Sequence, residues 1–450
     1  MFKSILIANR GEIALRVIRA CKEMGIRTVA VYSAADKDCS HIAFADEAIC
    51  IGPASSAKSY LNIFAIIDAA VVSDVEAIHP GYGFLSENPR FVEICEECGI
   101  TFIGPHSAAM KLMGDKSQAR ATMKQAKIPI VPGSNGNTFN DTEAARLITE
   151  IGYPIIIKAS SGGGGRGMRV VYSQDEFKNN FMTASREAEA AFGDPSIYIE
   201  KYLTAPRHIE VQILSDDCGN TIHLGERDCT IQRRHQKMIE ESPSIALDDG
   251  LRQKIGDIAV KVAKTVGYVN AGTVEFLLDT DKKFYFMEMN TRVQVEHPVT
   301  EAVTGIDIVK EQIRIAAGER LSITQDDVCI QGHAIECRIN AENPEKGFMP
   351  SAGEIKELFI PGGMGVRVDT HIYKGYIIPP HYDSMIGKLI VYGKTRDEAL
   401  QKARACLGEF VIGGVDTTID FLKKIISHPV FCQGDYSTHF LDELLQVSLE

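Results

Sequence analysis

The sequence lacks a long apolar run. Across its 450 residues, no stretch approaches the roughly 18 consecutive apolar residues of a membrane-spanning helix, so the sequence predicts no such helix. The N-terminus enters a short β-type run directly, without the apolar core and small-residue cleavage site of a signal peptide. The 11 cysteines are odd in number and mostly lie inside apolar segments, as buried thiols in a reducing compartment do. We therefore expect a cytoplasmic protein.

The chain also lacks an excess of positive charge. Its 48 lysines and arginines are outnumbered by 60 aspartates and glutamates, which gives a net charge of −12. This balance argues against a nucleic-acid or anionic membrane surface as the partner. The 45% hydrophobic and 24% charged residues are typical of a soluble globular protein, and the length predicts two or three domains.

Two common nucleotide-binding signatures are missing. No G-x-x-x-x-G-K-[ST] motif occurs, which excludes a P-loop fold. The first predicted strand leads into the turn Ala8–Glu12, which has a single glycine where a dinucleotide-binding turn needs three. The N-terminal region is therefore not expected to bind a dinucleotide.

The order of apolar runs and helical patterns predicts a three-part fold of the α/β and α+β classes. Residues 1–113 alternate strands with amphipathic helices, which indicates a doubly wound, Rossmann-like parallel sheet. Residues 114–330 contain a compact segment with a glycine loop, followed by a β-meander at about 208–240. Residues 331–450 mix strands with two helices, as a C-terminal mixed α+β domain does.

Polar residues alternate with apolar ones through the segment Phe284–Pro298. The polar residues fall at the even positions Glu288, Asn290, Arg292, Gln294 and Glu296. In an extended chain they would line one surface, with steps of about 6–7 Å. An edge strand facing solvent could also alternate, but a row of acids, amides and a base is costly unless it holds an ionic ligand. We therefore expect a binding site here.

A glycine loop, Ser160–Gly167, joins two predicted strands. Its backbone N–H groups could approach phosphate oxygens closely, and Lys158 at the end of the preceding strand could add a positive charge. A flexible hairpin or an RGG-type RNA segment is the alternative, although such segments repeat and lie in disordered tracts. The pattern favours a phosphate site.

Two glutamates interrupt apolar strands. Glu275 and Glu288 are predicted on neighbouring strands, where two carboxylates would repel unless a cation lay between them. Mg²⁺ prefers such hard oxygen ligands together with substrate phosphates. Glutamates that are each paired with an arginine remain the alternative. The cationic run 232–237 is by itself no more than a solvated face.

Long blocks of sequence resemble the biotin carboxylase component of biotin-dependent carboxylases, a branch of the ATP-grasp superfamily. They include KASSGGGGRGMR, HIEVQIL, GERDCTIQRRHQK, GTVEFL, FMEMNTRVQVEHPVTE and GHAIECRINAE, in this order. The resemblance runs from about residue 2 to residue 445. Members of the family often have glycine where Ser161 stands, which leaves four consecutive glycines here.

The resemblance implies a full set of site residues. Those for ATP are Lys116, Lys158, Gly163, Gly164, Gly165, Glu200, Lys201, Leu203, His208, Gln232 and His235. Those for Mg²⁺ or Mn²⁺ are Glu275, Glu288 and Asn290. Those for bicarbonate and biotin are Arg292, Gln294, Val295, Arg338 and Tyr82. The catalytic residues would be Glu296 as general base, Arg338 for the biotin enolate, Arg292 for bicarbonate and Lys237 for developing charge.

The reaction implied is the carboxylation of biotin. ATP and bicarbonate would form carboxyphosphate, and biotin on a carrier protein would then become N1-carboxybiotin, with release of ADP and phosphate. Cations are needed to bring two anions together, and an arginine that stays charged suits an enolate. Because water would destroy carboxyphosphate, residues 131–203 are expected to form a lid over ATP.

The resemblance also implies partners. The sequence has neither an A-M-K-M biotinylation segment nor a carboxyltransferase domain, so a separate biotin carboxyl carrier protein and carboxyltransferase subunits are expected, together with homodimerisation. Acetyl-CoA carboxylase of fatty acid synthesis is the expected holoenzyme. The alternatives are the biotin carboxylase component of a pyruvate or propionyl-CoA carboxylase, another ATP-grasp ligase, and a nucleotide-binding regulatory protein without catalysis.

Overall fold

A computed structural model of the protein describes residues 1–134, 141–159 and 168–447. The N-terminal strands are β1 (Ser4–Ile7), β2 (Arg27–Ser33), β3 (Glu47–Gly52), β4 (Ala77–His79) and β5 (Thr101–Phe102). They form one parallel sheet in the order β3-β2-β1-β4-β5. Every residue of β1 is buried, as expected for a strand of a sheet covered on both faces. The predicted doubly wound sheet is confirmed.

Helices connect and extend this sheet. They are α1 (Gly11–Glu23), α2 (Ser40–Phe44), α3 (Ile63–Val72), α4 (Pro89–Glu97), α5 (Ser107–Gly114) and α6 (Lys116–Gln125). Asn88 caps α4 by accepting a hydrogen bond from the Phe91 backbone N–H, and Pro89 suits a first helical position that needs no donor. Asp115 caps α6 in the same way, which fixes the start of the helix that carries Lys116.

A small antiparallel sheet occupies the predicted lid. Its elements are α7 (Asp141–Ile151), β6 (Ile155–Ala159), β7 (Met168–Val171), α8 (Gln174–Phe192) and β8 (Ile197–Lys201), in the strand order β7-β6-β8. It has its own apolar core, in which Ile157, Ala184 and Ile199 are fully buried. β6 and β7 flank the glycine loop, but residues 160–167, including the predicted Gly163, Gly164 and Gly165, lie outside the described residues.

The central sheet is antiparallel and has eight strands. The first five along the chain are β9 (Arg207–Ser215), β10 (Thr221–Arg233), β11 (Gln236–Ser242), β12 (Asn270–Leu278) and β13 (Phe284–Asn290), so the predicted meander is present. The accompanying helices are α9 (Asp249–Thr265), α10 (His297–Thr304) and α11 (Ile308–Ala316). The apolar residues of α9 pack on β9 and β12 around Ile255 and Val274.

The C-terminal part extends the same sheet. Its strands are β14 (His333–Asn340), β15 (Glu342–Asn343), β16 (Met349–Pro350), β17 (Gly353–Glu354), β18 (Glu357–Phe359), β19 (Val366–Thr370), β20 (Ile377–Ile378), β21 (Met385–Gly393) and β22 (Val411–Gly413). Its helices are α12 (Arg396–Glu409), α13 (Ile419–Ser427), α14 (Pro429–Gln433) and α15 (Phe440–Val447). Because β14 pairs with β11, the sheet order is β13-β12-β9-β10-β11-β14-β21-β19. The eight-stranded sheet therefore continues across the predicted boundary at residues 330 and 331.

Within the described ranges, no helix is both long and apolar enough to cross a membrane.

Candidate active site

Glu275 and Glu288 lie directly opposite each other on β12 and β13, which are neighbouring strands as the sequence predicted. Glu275 is buried, and its Oε1 accepts hydrogen bonds from Asn290 Nδ2 at 2.9 Å and Gln294 Nε2 at 2.8 Å. The side chain of Glu288 is 36% exposed, and its Oε2 lies 3.5 Å from Lys116 Nζ. Each glutamate therefore has a lysine rather than an arginine beside it, since Lys237 Nζ lies 3.0 Å from Glu275.

The predicted extended row from Glu288 to Glu296 is wrong beyond Asn290. β13 ends at Asn290, the chain then turns, and Glu296 immediately precedes α10. Some of the polar side chains still converge, because Asn290 and Gln294 both reach Glu275 while Glu296 reaches Lys237. Arg292 donates from Nη2 to Asn290 Oδ1 at 3.2 Å and from Nε to Glu87 Oε2 at 2.9 Å.

Lys237 is the centre of the site. Its Nζ lies 2.5 Å from Glu210 Oε2, 3.0 Å from Glu275 Oε1 and 2.6 Å from Glu296 Oε1. The lysine projects from β11, and the three carboxylates come from β9, β12 and the turn before α10. One ammonium group therefore ties together three separate parts of the central region.

These contacts keep two of the carboxylates charged. Burial alone would raise the pKa of Glu275, but Lys237 and His208 hold it well below its usual value. The pKa of Glu296 is likewise lowered well below its usual value against burial, by Lys237 and Arg338. Opposite charges therefore outweigh desolvation at both positions.

Arg338 brings the C-terminal part into the site. It lies on β14, where Nη2 donates to Glu296 Oε2 at 2.9 Å and Nε donates to Glu240 Oε1 at 2.6 Å. Burial raises the pKa of Glu240 to about 7, even though Arg338 opposes the shift. Glu336, two residues before Arg338, is buried, and its pKa is raised well above the usual value, chiefly by burial.

Four of the predicted ATP residues lie on the strands β6, β8 and β9, namely Lys158, Glu200, Lys201 and His208. Lys158 Nζ donates to Glu200 Oε2 at 2.6 Å, and Arg120 donates to the other oxygen of the same carboxylate. His208 Nε2 lies 3.0 Å from Glu275 Oε2, which connects the nucleotide residues to the acid pair. Lys201 instead donates from Nζ to the backbone carbonyl of Tyr153 at 2.8 Å.

Three other predicted residues occupy the edges of this region. Leu203 is half-buried just after β8, and Gln232 is half-buried near the end of β10. His235 is exposed at the tip of the β10–β11 hairpin, where Arg234 and His235 both have positive φ, at 48° and 65°. The turn therefore holds the histidine at the tip of the hairpin.

Tyr82 and Val295 are joined by a short chain of buried groups. The hydroxyl of Tyr82 donates to Glu12 Oε1, and Lys388 Nζ lies 3.2 Å from that same oxygen. Lys388 is fully buried and also donates to the backbone carbonyl of Val295 at 2.8 Å. Tyr82, predicted to contact biotin, and Val295, predicted to contact bicarbonate, thus share a polar network.

Sequence reasoning missed several residues of the site. Glu87, Glu210, Glu240 and Lys388 all contact predicted site residues. Glu210 carried a usable signal, because it interrupts the apolar run HIEVQIL in the same way that Glu275 interrupts its strand. Glu87 comes from a loop some two hundred residues away, and only the fold could place it.

Possible metal ligands cluster here as well. Among the described residues, His208, Glu210 and Glu275 form one group of three ligand atoms within 4.8 Å, and Glu210, Cys229 and Glu296 form another. Glu288 belongs to neither group. The predicted set of Glu275, Glu288 and Asn290 supplies two carboxylates and an amide oxygen, the donor chemistry that Mg²⁺ prefers.

Known proteins share this architecture along the whole chain. Residues 1–110 match the biotin carboxylase N-terminal domain, and residues 336–443 match the biotin carboxylase C-terminal domain. Residues 115–324 match the ATP-binding domain of the carbamoyl-phosphate synthase L chain. Biotin carboxylase 1 of Bacillus subtilis (strain 168) is 59% identical over 443 residues, which cover 98% of each chain.

The chain belongs to the biotin carboxylase family. Another relative, a pyruvate carboxylase subunit of Methanothermobacter thermautotrophicus (strain Delta H), is 55% identical over 98% of this chain and 90% of its own. A solved structure of the Hydrogenobacter thermophilus 2-oxoglutarate carboxylase biotin carboxylase domain dimer, in complex with MgADP, ADP and bicarbonate, is 52% identical. Its TM-score is 0.92, with 98% of each chain covered. The predicted family and the ATP-grasp fold are confirmed.

Proposed function

We propose that this protein is an ATP-dependent ligase that carboxylates biotin on a carrier protein, with bicarbonate as the source of the carboxyl group. The observation that carries the proposal is the meeting of Glu296, Lys237 and Arg338. A buried carboxylate lies between an ammonium and a guanidinium that come from two different parts of the chain. Membership of the biotin carboxylase family supports the same reaction.

The charges of the site suit a reaction between anions. ATP and bicarbonate repel each other, so their union into carboxyphosphate needs preorganised cations, which Lys116, Lys158, Lys237 and Arg292 can supply. Arg292 can bind the planar bicarbonate through its two-pronged guanidinium. Glu296 enters the reaction ionised, so it can accept the bicarbonate proton once the substrate anion competes with it for Lys237 and Arg338.

The second step uses Arg338, which lies at Oε2 of Glu296, the carboxylate oxygen that Lys237 does not contact. Carboxyphosphate releases CO₂ and phosphate, the phosphate can take the N1 proton of biotin, and the biotin enolate attacks CO₂. Arg338 cannot be deprotonated under these conditions, so it can stabilise the enolate oxygen throughout the step. Tyr82 lies on the Glu12 and Lys388 side of the site, where we place the biotin ring.

A divalent metal fits the acid pair. Glu275, Glu288 and Asn290 would hold Mg²⁺ or Mn²⁺, which neutralises phosphate charge when it is bound. Lys237 and His208 each lie 3.0 Å from an oxygen of Glu275, and their charges keep this carboxylate ionised and ready to bind a cation. The 131–203 segment is proposed to close over the nucleotide, with Lys158 and Glu200 at its base.

We further propose that the protein acts as the biotin carboxylase component of an acetyl-CoA carboxylase in the cytoplasm, as a homodimer with separate carrier and carboxyltransferase proteins. The match over 98% of a bacterial protein named biotin carboxylase supports the biotin carboxylase role, and the solved Hydrogenobacter domain dimer supports a homodimer. A pyruvate carboxylase is the second candidate, because the Methanothermobacter pyruvate carboxylase protein is almost as similar.

The test is an assay of ATP hydrolysis by the purified protein. We expect hydrolysis that requires Mg²⁺, bicarbonate and free biotin together. Hydrolysis that is indifferent to biotin would contradict the proposal and favour another ATP-grasp ligase. The holoenzyme can then be distinguished by supplying the carrier protein with either acetyl-CoA or pyruvate carboxyltransferase subunits and measuring which product forms.

A further inference from the structure

Arg227 lies on β10 at the back of the site and is fully buried. Its guanidinium has five N–H bonds, and each one has an acceptor. The acceptors are Glu210 Oε1 for Nε at 2.5 Å, Gln212 Oε1 and Thr300 Oγ1 for Nη1 at 2.8 and 3.0 Å, and Thr273 Oγ1 and Gln294 Oε1 for Nη2 at 3.1 and 2.9 Å. A side chain satisfied on every donor has one orientation.

That orientation dictates the orientation of the Gln294 amide. A guanidinium offers donors and no acceptor, so only the carbonyl oxygen of Gln294 can face Arg227. The NH₂ group must then point the other way, and it donates to Glu275 Oε1 at 2.8 Å. A rotated amide would place NH₂ against the guanidinium and present an oxygen to the site, where an anion would be repelled.

The same guanidinium also supports Lys237 indirectly. Glu210 accepts from Arg227 on Oε1 and from Lys237 Nζ on Oε2, at 2.5 Å each. The carboxylate is thus fixed on one side by Arg227 while it holds the lysine on the other. Both groups that Arg227 steadies, an amide NH₂ and an ammonium, are donors suited to an oxyanion.

We propose that Arg227 is a positioning residue for bicarbonate, which it serves by holding the Gln294 amide with its NH₂ group toward the anion. Arg227 does not reach the substrate itself, since all five of its donors are engaged within the protein. The inference rests on the proposed function, in which Gln294 contributes to the bicarbonate site. A purely structural role would change stability while leaving the affinity for bicarbonate unaltered.

The first test is the pair Arg227→Lys and Thr300→Val. Lysine keeps the charge but cannot span the acceptors, and valine removes one acceptor of Nη1 with little change of shape. We expect the bicarbonate KM to rise about tenfold in Arg227→Lys and about threefold in Thr300→Val, with the ATP KM within about twofold. Thr304→Val is the matched control one turn further along α10, because its hydroxyl donates to the Thr300 carbonyl and does not touch Arg227.

The second test asks whether Arg227 acts through Gln294. If it does, Arg227→Lys should raise the bicarbonate KM about tenfold in the unaltered protein but far less in a Gln294→Ala background, where only its support of Lys237 through Glu210 remains. Multiplicative effects in the double variant would overturn the proposal, as would an unchanged bicarbonate KM in either folded single variant. If Arg227→Lys does not fold, Thr300→Val in both backgrounds gives the same comparison. Failure of the proposed function is distinct, since the unaltered protein would then show no turnover that depends on bicarbonate.

Discussion

The ammonium group of Lys237 lies 2.6 Å from Oε1 of Glu296, and this ion pair is almost completely buried. Arg338 occupies the other oxygen of the same carboxylate. Two cations therefore hold the proposed base in its charged form, at the cost of making it a weak base before substrates arrive. An incoming oxyanion that competes for the two cations would restore its basicity.

Replacing Glu296 should separate binding from turnover. In Glu296→Gln the side chain keeps its size but cannot accept the bicarbonate proton, so we expect the turnover number to fall by about 10²- to 10⁴-fold. Affinity for MgATP should stay within about threefold, because Lys237 keeps Glu210 and Glu275 as partners. Equilibrium binding of a fluorescent ATP analogue and the ATPase assay measure the two quantities.

The control for this variant is Glu187→Gln on α8. Glu187 also forms an ion pair, with Arg169, but it is half exposed and lies on the surface of the predicted lid. It should change neither turnover nor binding. Unchanged turnover in Glu296→Gln would mean that another group is the base.

Arg338→Lys should uncouple ATP hydrolysis from biotin. Lysine retains one positive charge but lacks the fork that reaches both Glu240 and Glu296. We expect stimulation by biotin to fall by about 10²-fold or more, as for the loss of one oxyanion donor, while slow bicarbonate-dependent hydrolysis persists. The ratio of hydrolysis rates with and without biotin is the readout. An unaltered ratio would remove Arg338 from the biotin step, and Arg314→Lys, a half-exposed arginine on α11, serves as the control.

Lys158→Gln should weaken ATP specifically. Lys158 lies near the end of β6, where its ammonium group forms an ion pair with Glu200. A nucleotide phosphate could compete with Glu200 for this ammonium group. We expect the ATP KM to rise about tenfold and the bicarbonate KM to stay within about twofold. Lys178→Gln, at an exposed position on α8, should change neither. Equal rises in both KM values would argue for general damage to the site.

The sequence predicted those features that depend on the residues of one strand or of strands that follow each other along the chain. Strand–helix alternation identified the parallel sheet, and charged residues inside apolar strands identified Glu275 and Glu288. Alternation after β13 drew attention to Gln294 and Glu296, which do reach Glu275 and Lys237, but the assumed extended strand was wrong. The chain does not stay extended through Gln294 and Glu296, because a turn and a helix start replace the strand.

Other contacts could not be predicted because they depend on which strands become neighbours. Nothing near Arg338 in sequence indicates that β14 pairs with β11 and so brings the guanidinium to Glu296. For Arg227, the local sequence suggested exposure to solvent, which is wrong. It stands in a polar stretch, GERDC, that is typical of a solvent-facing turn, yet the sheet buries it completely.

Acid should destabilise the N-terminal sheet through His41. This side chain is fully buried, and burial lowers its pKa to about 4, whereas an unfolded histidine titrates near 6.5. Between these two values the unfolded chain binds a proton that the folded protein does not, so stability falls as the pH falls through this window. At pH 5 the loss of folding stability relative to pH 7.5 is about 2 kcal/mol from this one residue.

The variant His41→Gln tests this expectation. Its glutamine can still donate to the Val31 carbonyl, which His41 Nε2 contacts at 3.2 Å, but it cannot titrate. The drop in melting temperature between pH 7.5 and pH 5 should therefore be smaller in His41→Gln than in the unaltered protein. The exposed His106 provides the control, since His106→Gln should leave the drop as it is. Equal drops in all three proteins would show that His41 is not a source of acid sensitivity.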